Sequence, residues 1–97
     1  IVVVDSGSTD ATREIAAAAG ARVLERAFTG FRSQKQFAVD QARHDWVLCL
    51  DADERVSPEL RASLLAARDA GFADAAGYRF ARLSEYFGRF LRRGNAY

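Results

Sequence analysis

Residues 47–50, Val47-Leu48-Cys49-Leu50, are apolar without interruption and stop abruptly at Asp51-Ala52-Asp53-Glu54. An unbroken apolar run of this kind reads as a strand buried on both faces, the usual state of a central strand in a parallel sheet. Acidic side chains at the carboxyl end of such a strand lie where open α/β sheets bind their ligands. In an extended chain, residues i and i+2 point to the same side, roughly 7 Å apart. Asp51 and Asp53 can therefore address one ligand together, such as a divalent cation and the phosphates it carries. Acids at strand ends also cap turns or the next helix, and on the residues alone both readings stand.

A second apolar, β-branched run, residues 1–4, likewise ends in an aspartate, Asp5. In a parallel sheet both carboxyl ends face one edge, which predicts that Asp5, Asp51 and Asp53 converge. Between them, Ser6-Gly7-Ser8-Thr9-Asp10 feeds a helix over about residues 9–19, with Ser8 as N-cap and Gly20 as terminator. Ile15, Ala18 and Ala19 are its expected inward residues. A short strand over residues 21–25 follows, then a loop and a helix over about residues 33–42 capped by Ser33. Ser57-Pro58-Glu59-Leu60 is a strong helix start, with Leu60, Leu64 and Ala67 as its core face and Gly71 as its end. Residues 77–83 alternate as an exposed or half-buried strand. The order β-α-β-α-β-α-β predicts an α/β layer with a mainly parallel sheet.

The composition, 97 residues with 49% hydrophobic and 28% charged, fits one soluble globular unit. A net charge of +1 gives no general reason to expect nucleic-acid binding. The lone cysteine, Cys49, has no internal disulfide partner and reads as a buried thiol in a reducing, cytoplasmic setting. There is no signal peptide and no apolar span of about 20 residues. The absence of an initiator methionine, and a start already inside a strand, suggest a segment of a longer protein.

Other groups offer weaker signals. Ser6, Gly7 and Ser8 present backbone N–H groups suited to an anion or a base edge, although a plain strand-to-helix turn explains the loop almost as well. The spacing is not that of a P-loop, and no G-x-G-x-x-G is present. Lys35, the sole lysine, lies with Arg32 near a helix start and suits either a phosphate or a solvated helix face. His44 belongs to no catalytic or metal spacing and reads as a surface residue. Residues 86–93 interleave aromatics with arginines, a pattern suited to an anionic membrane surface, an anionic acceptor or core packing.

Val3-Val4-Asp5-Ser6-Gly7-Ser8-Thr9-Asp10, followed about forty residues later by Leu50-Asp51-Ala52-Asp53-Glu54, resembles an inverting family 2 glycosyltransferase of the GT-A fold. Gly30-Phe31-Arg32-Ser33-Gln34-Lys35-Gln36-Phe37-Ala38, with Gly77-Tyr78-Arg79-Phe80 and Tyr86-Phe87-Gly88-Arg89, resembles the lipopolysaccharide core glucosyltransferase-like subgroup. The resemblance implies a partial, Rossmann-like GT-A domain over residues 1–97 that binds a nucleotide-sugar, for which a UDP-sugar is the leading expectation. Asp5 would contact the base and Asp51 the ribose or sugar. Asp53, with Asp51 as a second candidate, would ligate a Mg or Mn ion. Ser6, Gly7, Ser8, Lys35 and Ala52 complete the expected site. The acceptor would be a glycan or a lipid-linked glycan, used in lipopolysaccharide or other cell-envelope polysaccharide synthesis at the cytoplasmic face of the inner membrane. The C-terminal basic aromatic stretch is the candidate for peripheral membrane contact.

The resemblance also sets limits. The catalytic base is expected outside the chain, Glu85 lying in no recognisable motif. The family's first strand, which lies between the strands ending at Asp5 and Asp51, has no counterpart in the sequence. Its absence implies either a gap in the sheet or direct pairing of those two strands, and an isolated segment without transferase activity. Two other readings stay open. A non-catalytic nucleotide-sugar-binding module fits the same acids. A haloacid-dehalogenase-like phosphatase fits less well, because no lysine follows Asp53.

Overall fold

The computed structural model describes residues 1–91, and the chain divides into two compact units, Ile1–Asp53 and Glu54–Tyr97. In the first unit, β1 (Val2–Asp5) leads through α1 (Thr12–Ala18) to β2 (Arg22–Glu25), and α2 (Phe31–Asp40) follows. β1 and β2 pair in parallel, with Val3 opposite Val23 and Asp5 opposite Glu25. The β-branched residues of β1 favour this extended state, and α1 supplies the crossover that parallel strands require.

α1 is shorter at its start than the sequence suggests, because the residues expected to enter it form turns instead. Ser8 does not cap the helix but bonds to Asp5, whereas Asp10 accepts from the Thr12 N–H at 3.0 Å in an Asx turn. Its end is as expected: Gly20 takes φ 86°, and the Gly20 and Ala21 N–H groups donate to the Ala17 and Ala16 carbonyls. α2 begins two residues before Ser33, at Phe31 after Gly30, and the Ser33 hydroxyl donates back to the Gly30 carbonyl.

The expected central strand over residues 47–50 does not form. These residues have no ladder partner among the described residues; Val47, Leu48 and Leu50 are 42–45% exposed, and Cys49 is exposed rather than buried. A strand holds only when its backbone groups find neighbours, so an unpaired apolar segment stays irregular with its polar backbone toward water. Direct pairing of residues 47–50 with β1 does not occur, and among the described residues β1 pairs only with β2. A cleft of about 590 Å³ separates Val2–Val4 from residues 50–52, walled by Ile15, Ala16 and Ala38. Ile15 faces this cleft and is therefore 67% exposed. Among the described residues no hydrophobic side chain is fully buried, and Asp5, at 6% exposure, is the one buried residue.

The second unit holds α3 (Pro58–Asp69), β3 (Ser84–Tyr86) and β4 (Arg89–Leu91). α3 starts as expected: the Ser57 hydroxyl accepts from the Leu60 N–H at 3.1 Å, Pro58 occupies the first turn, and Leu60, Leu64 and Ala67 lie half-buried on one face. Gly71, with φ 72°, closes it in a Schellman arrangement, its N–H on Arg68 and the Phe72 N–H on Ala67. Ser57→Ala is expected to cost about 1 kcal/mol, the usual worth of a serine N-cap, read from denaturant unfolding.

Residues 77–83 form no strand, although their alternation suggests one. Tyr78 instead packs edge-on against Phe72 with ring centroids 5.9 Å apart, and its hydroxyl donates to the Asp74 carboxylate. That bond holds the phenol above its usual pKa. The strand pairing lies just beyond, where β3 and β4 form an antiparallel hairpin through Phe87-Gly88, both at positive φ as a tight primed turn requires. The observed order is therefore β-α-β-α-α-β-β. The hairpin carries residues 86–91 of the basic aromatic stretch, and residues 92–93 lie outside the described residues. No helix among the described residues is long and apolar enough to cross a membrane.

Candidate functional site

Asp5 ends β1 and organises the loop after it. Its Oδ2 accepts from the Gly7 and Ser8 N–H groups, each at 2.9 Å, and its Oδ1 accepts from the Ser8 hydroxyl. Arg13, on α1, brings its guanidinium to 4.0 Å from the same carboxylate and also pairs with Glu25 at the end of β2. The Ser8 hydroxyl and N–H lower the pKa of Asp5 most. Burial opposes them, and Gly7 and Arg13 add to the lowering, so Asp5 is held ionised below the usual carboxylate range. One acceptor position on Oδ1 remains after these bonds.

The second loop is reached from α2. The Lys35 ammonium lies 3.0 Å from Oδ1 and 3.2 Å from Oδ2 of Asp51, so the sole lysine straddles the first acid of the Asp51-Ala52-Asp53 element. The preceding residue, Gln34, donates from Nε2 to the Ser6 hydroxyl oxygen at 2.7 Å. Two consecutive residues of one helix thus touch the loop after β1 and the loop holding Asp51. Gln34, Lys35, Asp51 and Ala52 also line the cleft beside β1.

The structure therefore joins Asp5, Ser6, Gly7 and Ser8 in one loop and links Lys35 with Asp51. Asp53 is exposed, and its carboxylate has no partner among the described residues. Glu54, next in sequence, pairs with Arg82 at 2.7 Å. His44 is exposed, as expected. Two contributors were not legible as site residues: Arg13 and Gln34. The adjacency of Gln34 to Lys35 is a signal within the sequence, but the contact of Arg13 with Asp5 and Glu25 depends on how α1 packs beside β1 and β2.

Among the described residues no three carboxylate, imidazole or thiolate groups cluster into a closed metal cage. The donor set does fit an open site. Mg²⁺ and Mn²⁺ commonly take one or two protein carboxylates and complete their shell with phosphate oxygens and water, and Asp53 presents an exposed carboxylate of that kind.

Lys35→Met is expected to change stability by less than about 1 kcal/mol, because the pair with Asp51 is largely solvated. The same change should weaken nucleoside diphosphate binding about tenfold, the scale of one charge-assisted hydrogen bond. Thermal unfolding and a binding titration on one sample check both.

A parallel βαβ start, a strand-end aspartate that organises its own loop and a second acidic loop reached from the next helix make up the candidate site. The chain matches glycosyl transferase family 2 over residues 1–95 and belongs to that family. Its α/β architecture is part of the family's GT-A fold. It is 46% identical over 61 residues to an uncharacterized glycosyltransferase of Rickettsia bellii, covering 63% of this chain and 21% of that protein. It is also 41% identical over 90 residues to the lipopolysaccharide core biosynthesis glycosyltransferase LpsC of Rhizobium meliloti, covering 84% of this chain and 32% of that protein. The chain thus spans between about a fifth and a third of the length of these relatives. No solved structure matches it.

Proposed function

We propose that this chain forms the nucleotide-sugar-binding part of a hexosyltransferase acting in lipopolysaccharide or other envelope polysaccharide synthesis, with a UDP-sugar as donor and a glycan or lipid-linked acceptor. The observation that carries this reading is the joining of both acidic loops to α2, through Gln34 to Ser6 and through Lys35 to Asp51. The similarity to LpsC supports the envelope context.

Within the site, Asp5 stays ionised and keeps one lone-pair position on Oδ1 for an N–H of the base. The Gly7 and Ser8 amides are committed to Asp5, so the loop serves as a preformed rim for the nucleotide. Lys35 and Asp51 exchange partners on binding: the ammonium turns to the diphosphate, and Asp51 is freed to accept from sugar hydroxyls. Asp53 holds the cation, which when bound supplies Lewis-acid stabilisation of the leaving diphosphate. The exposed Tyr86, Phe87 and Phe90 of the hairpin, beside Arg89, are suited to peripheral contact with an anionic membrane.

Titrating uridine diphosphate with and without Mn²⁺ tests the reading. Metal-dependent binding supports it, and binding of no nucleoside diphosphate by the full-length protein overturns it. Phosphatase activity lost in Asp51→Asn would point instead to aspartyl phosphoryl chemistry. Residues 1–97 alone are expected to transfer no sugar, which a donor-hydrolysis and transfer assay on the purified segment checks.

A further inference from the structure

We propose that Gln34 is a positioning residue that turns the Ser6 hydroxyl proton outward, making Ser6 a hydrogen-bond donor to an oxygen of the bound nucleotide. The inference rests on the nucleotide-sugar reading above and adds two roles to it. It begins with Arg26, at the end of β2. The Arg26 guanidinium donates to the Ser33 carbonyl at 3.0 Å and lies 4.8 Å from the centre of the Phe37 ring, so both its charge and its plane are held by α2. Arg26 also meets the Gln34 side chain at 3.3 Å.

A guanidinium has no acceptor, so the Gln34 atom facing it is the carbonyl oxygen, and the atom facing Ser6 is the NH₂ group. This fixes the sense of the 2.7 Å contact: Gln34 donates and the Ser6 oxygen accepts. A hydroxyl has one proton, and with its oxygen engaged by Gln34 that proton is directed elsewhere. Ser6 is exposed, whereas its neighbour Asp5 is buried and engaged by Gly7 and Ser8. Ser6 is thus a solvent-side hydroxyl of the loop, presented as a donor. A nucleoside diphosphate offers two kinds of oxygen acceptor, base carbonyls and phosphate oxygens.

The deciding variant is Gln34→Glu. A carboxylate in that place still accepts from Arg26 and still ties down the loop, but it accepts from Ser6 as well and draws the hydroxyl proton inward. If Gln34 orients the proton, Gln34→Glu in the full-length protein keeps the wild-type Tm and loses about three- to tenfold in uridine diphosphate affinity with Mn²⁺, the scale of one hydrogen bond. Ser6→Ala loses the same factor, and the double variant loses no more than either single one. Wild-type affinity in Gln34→Glu, or additive losses in the double variant, overturns the inference and leaves the nucleotide reading standing. Failure of the wild-type protein to bind uridine diphosphate at all overturns both. Parallel titrations with uridine and with inorganic pyrophosphate plus Mn²⁺ identify the acceptor as a base carbonyl or a phosphate oxygen, by which probe Ser6→Ala weakens. If Ser6→Ala weakens neither, Ser6 is no donor and the inference fails.

Discussion

Asp53→Ala is expected to remove the metal-dependent part of nucleoside diphosphate binding while leaving folding intact. The Asp53 carboxylate is exposed and has no partner among the described residues, so its removal breaks no contact among them. Asp51, the other carboxylate of the loop, pairs with Lys35 in the free protein and turns to the sugar hydroxyls in the proposed complex, so it does not replace Asp53 on the cation. The affinity gained on adding Mn²⁺ should fall by about a hundredfold or more, since loss of partners that merely orient a metal ligand already costs about 10- to 100-fold. Isothermal titration with and without Mn²⁺, alongside a thermal melt, measures both effects. An Asp53→Ala variant that retains the full Mn²⁺ response would place the cation elsewhere.

Asp5→Asn is expected to act in the opposite way, through the loop. Asparagine keeps one acceptor oxygen but brings an NH₂ group to the place where the carboxylate now accepts, against either the Ser8 hydroxyl or the Gly7 and Ser8 amides. It also removes the charge beside Arg13. The loop should loosen, with loss of both stability and metal-independent nucleotide affinity. The pH dependence has a definite sign. Folding lowers the Asp5 pKa below its ordinary 3.8, so the stabilisation is complete above pH 3.8 and disappears as pH falls through the lower folded value. The stability gap between wild type and Asp5→Asn should therefore be widest near neutrality and narrow below pH 3.8. Urea unfolding across that range is the measurement, and a gap that stays constant would rule out the ionised carboxylate as its source.

Local chemistry was legible at the start of α3 and at the helix ends closed by glycine, but not at the starts of α1 and α2, where Ser8 and Ser33 bond elsewhere. Ser57 with Pro58 begins a helix because the cap and the fixed proline φ act within one turn, and Gly20 and Gly71 end helices because glycine takes positive φ there without steric cost. The apolar runs at residues 2–4 and 47–50 look alike in sequence, yet only the first became a strand. The difference is a partner: β1 finds β2 across one crossover helix, and residues 47–50 have no neighbour in the described chain to complete a ladder. The exposure of Cys49 and Ile15 follows from the same missing pairing. In the second unit, the alternation over residues 77–83 promised a strand, and pairing settled instead on the hairpin, where a two-residue turn brings β3 and β4 together.

The sequence by itself determined the family, the two acidic loops and the helix boundaries that caps and glycines set, because those depend on residue identity and near neighbours. Only the tertiary structure decided that Asp5 is buried and turned into its own loop, that Lys35 lies against Asp51, and that Gln34 links Arg26 to Ser6. The contacts of Lys35 and Gln34 join residues 8 to 28 positions apart. They arise where α2 comes against the two loops, a matter of packing that no local spacing encodes.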